Sequence, residues 1–91
     1  MGIIEKIKFG EMDEEELLEL VTSNNMNIAL AVAESAYSTA PILDIAAHDN
    51  DERVRFAAVN NPNIEKRTLE YLLDDPVGEI AEAAMKRLER N

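Results

Sequence analysis

Apolar residues along the chain recur at intervals of three and four, and the pattern itself returns with a 26-residue period. Leu17, Leu43 and Leu69 fall in register, followed by Leu20, Ala46 and Leu72 and then by Val21, Ala47 and Leu73. A second set holds Ile28, Val54 and Ile80, then Ala31, Ala57 and Ala83, then Val32, Ala58 and Ala84. Spacing of three and four places such residues on one face of a helix. A fixed interval of this size is the mark of a stacked repeat. No alternating run and no Asn-Gly or Asp-Gly turn points to strands. The pattern predicts six or seven short helices at about 2–9, 14–22, 25–36, 40–48, 51–60, 64–73 and 77–90.

Polar punctuation supports these spans. Asp13 with Glu16 makes a capping box, and Met12 is placed to staple onto Leu17. Asp49 with Glu52 repeats the box, and Asp75-Pro76 reads as an N-cap followed by the first helical residue. Ser38 or Thr39 caps the segment containing Pro41. Asn60-Asn61-Pro62-Asn63 ends one helix and is placed to cap the next, because Pro62 disfavours helical geometry at Asn61. Gly10 closes a short first helix. The run MNIALAVAESA is apolar nearly all round, which requires cover on several sides. Residues 77–90 instead carry a stripe of Ile80, Ala84 and Leu88 among charged residues, the pattern of a terminal cap.

The order Asp49, Val54-Arg55, Ala57-Ala58, Asn61-Pro62, Leu69, Leu72-Leu73 and Asp75 resembles the leucine-rich repeat variant group and, more broadly, HEAT-like helical repeats. The preceding unit matches through Ala31, Ala33, Pro41, Leu43, Ala46-Ala47 and Asp49, so the resemblance spans roughly residues 23–88. It implies an all-α fold: a short right-handed α-solenoid, or superhelix, of about three two-helix HEAT-like repeats. It also implies a role in binding other macromolecules. The whole chain, 1–91, then reads as one helical repeat domain. It comprises an N-terminal helix (1–10), a half-unit (11–22), two repeats (23–48 and 49–74) and a capping helix (75–91). The aligned positions of the Val-Arg pair hold Ile28-Ala29 and Ile80-Ala81 in the other units. In HEAT repeats the paired Asp and Arg are structural, so the resemblance assigns Asp49 and Arg55 to an ion pair or cap.

Nineteen acids against nine Lys and Arg give a net charge of −10, unevenly spread. From Phe9 to Glu52 there is no Lys or Arg, while eleven acids fall there. Such a surface repels phosphate backbones and anionic membranes and suits a basic partner. Direct nucleic-acid binding and membrane association are therefore disfavoured. The chain has no Cys, which removes disulfides, thiolate zinc sites and cysteine nucleophiles and fits a reducing compartment. The N-terminal MGIIEKIKFGEMDEEE mixes charge in too early for a signal peptide, and a cytoplasmic protein is expected.

Chemistry-bearing constellations are sparse. His48 is the single histidine, with Asp44 one turn before it. A zinc site wants three or four well-placed ligands, often Cys or a second His, whereas a lone histidine at a helix C-terminus is favoured by the dipole. The DNDE run lacks the glycine and terminal glutamate of a calcium loop, and there is no GxSxG or phosphate-cradling glycine loop. No catalytic, metal or cofactor residue is assigned, and a non-enzyme is expected.

If Leu17, Leu20, Val21 and their equivalents face the core, the other side of the second helices carries Glu14, Leu18 and Thr22, then Ala40, Asp44 and His48, then Lys66, Glu70 and Asp74. In HEAT-like folds this side lines the concave surface. With Glu15 and Glu19 it forms an acidic face with apolar patches at Leu18, Ile45 and Tyr71. The candidate partner-binding residues are Glu14, Glu15, Leu18, Glu19, Asp44, Ile45, His48, Glu70, Tyr71 and Asp74. The expected function is a non-catalytic interaction module for a protein or peptide, with a basic partner favoured by the charge. Two alternatives stay open. One is an acidic inhibitor that mimics nucleic acid, suggested by EMDEEELLE; the other is self-association into a homodimer through apolar ends.

Overall fold

The computed structural model describes residues 1–90, and among these every regular element is an α-helix. The helices are α1 (Ile3–Lys8), α2 (Glu14–Leu20), α3 (Met26–Glu34), α4 (Ala40–Ala46), α5 (Glu52–Asn60), α6 (Lys66–Leu72) and α7 (Gly78–Glu89). Glu14, Ala40 and Lys66 open α2, α4 and α6, and Met26, Glu52 and Gly78 open α3, α5 and α7; both sets keep the 26-residue interval of the sequence. α3 packs on α1 and α5, and α5 packs on α7. α2 and α4 lie against each other and against α3, α4 also meets α5, and α6 packs on α7. The apolar α3 is thus covered by α1, α2, α4 and α5, as its composition demands.

Local chemistry sets most helix starts. Asp13 accepts the Glu16 N–H at 2.9 Å while Glu16 reaches back to the Asp13 N–H at 3.1 Å, the expected capping box. Gly10 adopts φ +73° and ends α1. A Cβ there would also sit 2.6 Å from Cζ of Tyr37, whose ring lies over the glycine. Gly10→Ala is therefore expected to cost about 1–2 kcal/mol in urea unfolding, from left-handed strain plus displacement of the ring. An unchanged midpoint would refute this role.

Three cap expectations need correction. The N-cap of α5 is Asp51, whose side chain accepts the Arg53 N–H, and no Asp49–Glu52 box forms. Asp49 instead accepts the Asp51 N–H at 2.8 Å, closing the turn that precedes the cap. Likewise α7 starts at Gly78 behind Val77, and Asp75 accepts the Val77 N–H at 2.9 Å. Asn61 and Asn63 do not cap α6, whose N-cap is Glu65. Thr39 is the N-cap of α4, but its hydroxyl donates to Glu14 rather than to its own helix.

The core follows the apolar register for the most part, with Leu20, Ile28, Ala57 and Ala83 half-buried and Leu73 exposed. Leu17, Leu43 and Leu69 are buried, as are Val32, Ala58 and Ala84. Leu73, in register with the buried Val21 and Ala47, is 40% exposed.

Side-chain donors also tie alternate helices together. Ser35, Asn61 and Arg87 share the 26-residue spacing, and each reaches a carbonyl at the C-terminal end of the helix two before its own, on α1, α3 and α5. The Ser35 hydroxyl donates to the Ile7 carbonyl at 3.5 Å, the weakest of the three. The Asn61 amide donates to the carbonyls of Ala33 (2.9 Å) and Ser35 (2.8 Å). Arg87 Nη1 donates to the carbonyls of Val59 (2.8 Å) and Asn61 (3.3 Å). Helix geometry leaves the last carbonyls of a helix without an internal donor; the side chains supply one to Ala33 and Val59, whereas the Ile7, Ser35 and Asn61 carbonyls also accept the N–H of Gly10, Ser38 and Ile64. Arg87 is accordingly half-buried, not part of the polar outer face of α7.

Candidate functional site

Eight of the ten candidate residues are open to solvent: Glu14, Glu15, Glu19, Ile45, His48, Glu70, Tyr71 and Asp74. Glu14, Asp44 and Leu18 are engaged in the fold to some degree. Glu14 is exposed, but its carboxylate accepts the Thr39 hydroxyl. Asp44 is half-buried and accepts the hydroxyl of buried Thr68 at 3.0 Å, which ties α4 to α6. Leu18 is half-buried and packs against the core, so it contributes more to packing than to an exposed patch.

His48, in the turn after α4, and Tyr71 of α6 are brought together. Their rings stack with centroids 4.0 Å apart and an interplanar angle of 18°. The Nδ1–H of His48 donates to the Asp44 carbonyl at 2.8 Å, which fixes the ring at the end of α4 and sets its neutral tautomer. Ile45, 38% exposed, lies one helical turn before His48, and Tyr71 is 50% exposed. The result is an exposed patch in which the stacked His48 and Tyr71 rings lie beside Ile45. The sequence offers no local signal for the stack, since its two residues come from different segments of the chain.

Arg55 finds its acid one unit further on than the expected Asp49. Its Nε donates to Asp75 Oδ2 at 2.8 Å and its Nη2 to Asp75 Oδ1 at 3.3 Å. Nη1 donates to the main-chain carbonyls of Asp49 (2.9 Å) and Asn50 (3.2 Å). The pair is largely enclosed, with side-chain exposures of 12% for Arg55 and 3% for Asp75. The hydrogen bonds to Asp75 push the Arg55 guanidinium still further above its ordinary value. On the surface nearby, Arg53 pairs with Asp51 at 3.1 Å and holds that carboxyl below the usual carboxylate range.

Two depressions mark the surface. One, of about 580 Å³, lies along α3, α5 and α7 and is lined by Leu30, Phe56, Ala57, Val77 and Ile80 together with Glu34, Glu52 and Arg53. The other, of about 480 Å³, lies between the turn before α3 and the turn before α5 and shares Ile45 and His48 with the aromatic patch. Neither is foreseen from the sequence, although Leu30 and Phe56 occupy equivalent places in the 26-residue register. Among the described residues no group of three or more His, Asp or Glu side chains is gathered to hold a metal ion. No described helix is long and apolar enough to cross a membrane. No family model matches the chain, and neither a curated protein nor a solved structure does.

Proposed function

We propose that this chain is a non-catalytic interaction module, a short right-handed α-solenoid of the leucine-rich repeat variant or HEAT-like kind, acting in the cytoplasm. It binds a protein or peptide partner through the layer formed by α2, α4 and α6. Support for the repeat reading comes from helix starts that keep the 26-residue interval and from the donors Ser35, Asn61 and Arg87. The observation that carries the binding reading is the exposed His48–Tyr71 stack beside Ile45. It sits on a layer whose exposed positions include Glu15, Glu19, Glu70 and Asp74. An apolar anchor supplies affinity, while the surrounding carboxylates steer a basic partner and reject acidic ones.

The test is affinity capture from source-cell lysate, eluted in salt steps and followed by quantitative binding to the captured partner. Tyr71→Ala or Ile45→Ala is expected to weaken binding about 10- to 30-fold, the effect of losing a central anchor. Both variants should retain stability to within about 1 kcal/mol, because the residues are exposed. Wild-type affinity in both variants would remove this surface from consideration. The acidic-inhibitor reading draws less support from the geometry, because Asp13 and Glu16 are committed to a cap and Glu14 to Thr39.

A further inference from the structure

Two neighbouring grooves are built alike, and one contains an arginine that the other lacks. Between the turn before α5 and the turn before α7, the Arg55 guanidinium lies on the Asp75 carboxylate and on the carbonyls of Asp49 and Asn50. One 26-residue step earlier, each acceptor recurs. Asp49 stands where Asp75 stands, and each carboxylate takes the N–H two residues on, at 2.8 Å to Asp51 and 2.9 Å to Val77. Ser23 and Asn24 stand where Asp49 and Asn50 stand, and among the described residues no main-chain N–H bonds their carbonyls. The donor is what differs: Ala29 occupies the place of Arg55. The outcome is the depression of about 480 Å³ lined by Ser23, Asn24, Ala29, Ile45, Asp49 and Val54. No Lys or Arg of the described chain pairs with Asp49 there.

We propose that this groove receives an arginine side chain from the binding partner. Its guanidinium takes the position that Arg55 takes one unit on, donating to the Asp49 carboxylate and to the carbonyls of Ser23 and Asn24. The aliphatic stem lies against Ile45, the exposed apolar residue of the lining. Arginine fits better than lysine, because a planar fork of donors reaches a carboxylate and two carbonyls at once, whereas an ammonium acts as a point charge. The net charge of −10 and the absence of any Lys or Arg from Phe9 to Glu52 favour a cationic occupant. This inference deepens the reading of an interaction module and rests on it, since the groove adjoins the His48–Tyr71 patch.

The experiment is a titration of the ¹⁵N-labelled protein with arginine capped at both ends as its N-acetyl methylamide, with the equivalent capped lysine as control. Saturable amide shifts are expected at Ser23, Asn24 and Asp49 to Asp51, with the lysine probe several-fold weaker. Asp49→Asn keeps the acceptor for the Asp51 N–H and should weaken the arginine probe about tenfold, the effect of removing a charged acceptor. Arg55→Ala should open the second groove and add a second set of shifts around Asp49, Asn50 and Asp75. Ala29→Arg should fill the first groove from within and abolish its response. Absence of saturable shifts in the wild type overturns the proposal. So does an equal response to both probes, or one that Asp49→Asn leaves unchanged. The small probe tests the groove without the partner, so failure here leaves the Tyr71 and Ile45 capture assay standing as a separate test of the binding surface.

Discussion

Asn61→Ala is expected to lower the unfolding free energy by about 3–4 kcal/mol, from lost hydrogen bonds to groups that stay enclosed. Asn61 is 3% exposed. Its amide donates to the carbonyls of Ala33 and Ser35, and its own oxygen accepts the Asn63 N–H at 3.0 Å. Truncation leaves the Ala33 carbonyl and the Asn63 N–H without a partner, while the Ser35 carbonyl keeps the Ser38 N–H, and each group stranded in this way costs about 1–3 kcal/mol. A domain of this size has a total stability of only about 5–13 kcal/mol, so the melting temperature should fall on the order of 15–25 °C. A loss below about 1 kcal/mol in urea unfolding would show that the contact is not what joins α5 to the end of α3.

Asn61→Asp separates the hydrogen bond from mere shape. The aspartate keeps an acceptor for the Asn63 N–H but turns a carboxylate toward two carbonyls. Burial beside those dipoles raises its folded pKa above the unfolded value of about 3.9. For an acid shifted upward, the folded state is favoured while the group is protonated, and that advantage is lost as pH rises through the window between the two pKa values. The deficit of Asn61→Asp relative to wild type should therefore be smaller at pH 4 than at pH 7. A deficit that does not change with pH would mean that the site admits water.

Asp75→Ala is the second large effect, expected at about 2–3 kcal/mol, toward the low side of the cost of stranding a buried charge because the Arg55 guanidinium keeps the carbonyls of Asp49 and Asn50. It removes the partner of the Arg55 guanidinium and the acceptor of the Val77 N–H together. Asp49→Ala removes only the acceptor of the Asp51 N–H and should cost about 1 kcal/mol. Equal losses in the two variants, measured by urea unfolding, would deny Asp75 its special role. Arg55→Met should be milder than Asp75→Ala, since the carboxylate keeps the Val77 N–H while no guanidinium is left unpaired.

The contrast between Asp49 and Asp75 shows where reading the chain reaches its limit. Asp49 looks like a helix cap because an acid stands three residues before Glu52. The backbone places the cap at Asp51, and the local pattern fits either position, because DNDE offers two aspartates within one turn. The partner of Arg55 is equally open in the sequence, since an arginine stem spans the distance to an acid in its own unit or in the next. Of the candidate surface, the exposed acids, Ile45, His48 and Tyr71 are accessible to pattern reasoning. The inward commitments of Leu18 and Asp44 are not, because they depend on how α2 and α4 rotate against their neighbours.

By itself the sequence determined the number, type and approximate limits of the helices and most of the buried positions. Those features rest on local causes: apolar spacing at three and four residues, cap chemistry at Asp13, and the φ of Gly10. Only the tertiary structure decided which side chains meet across the 26-residue interval. Ser35, Asn61 and Arg87 share no residue type, yet each supplies a donor to the end of the helix two before its own. A carbonyl accepts equally from a hydroxyl, an amide or a guanidinium. The packing therefore demands a donor at a point in space and leaves the residue that brings it free to vary. For the same reason the absence of an arginine at Ala29 becomes visible only when its groove is set beside the one that Arg55 fills.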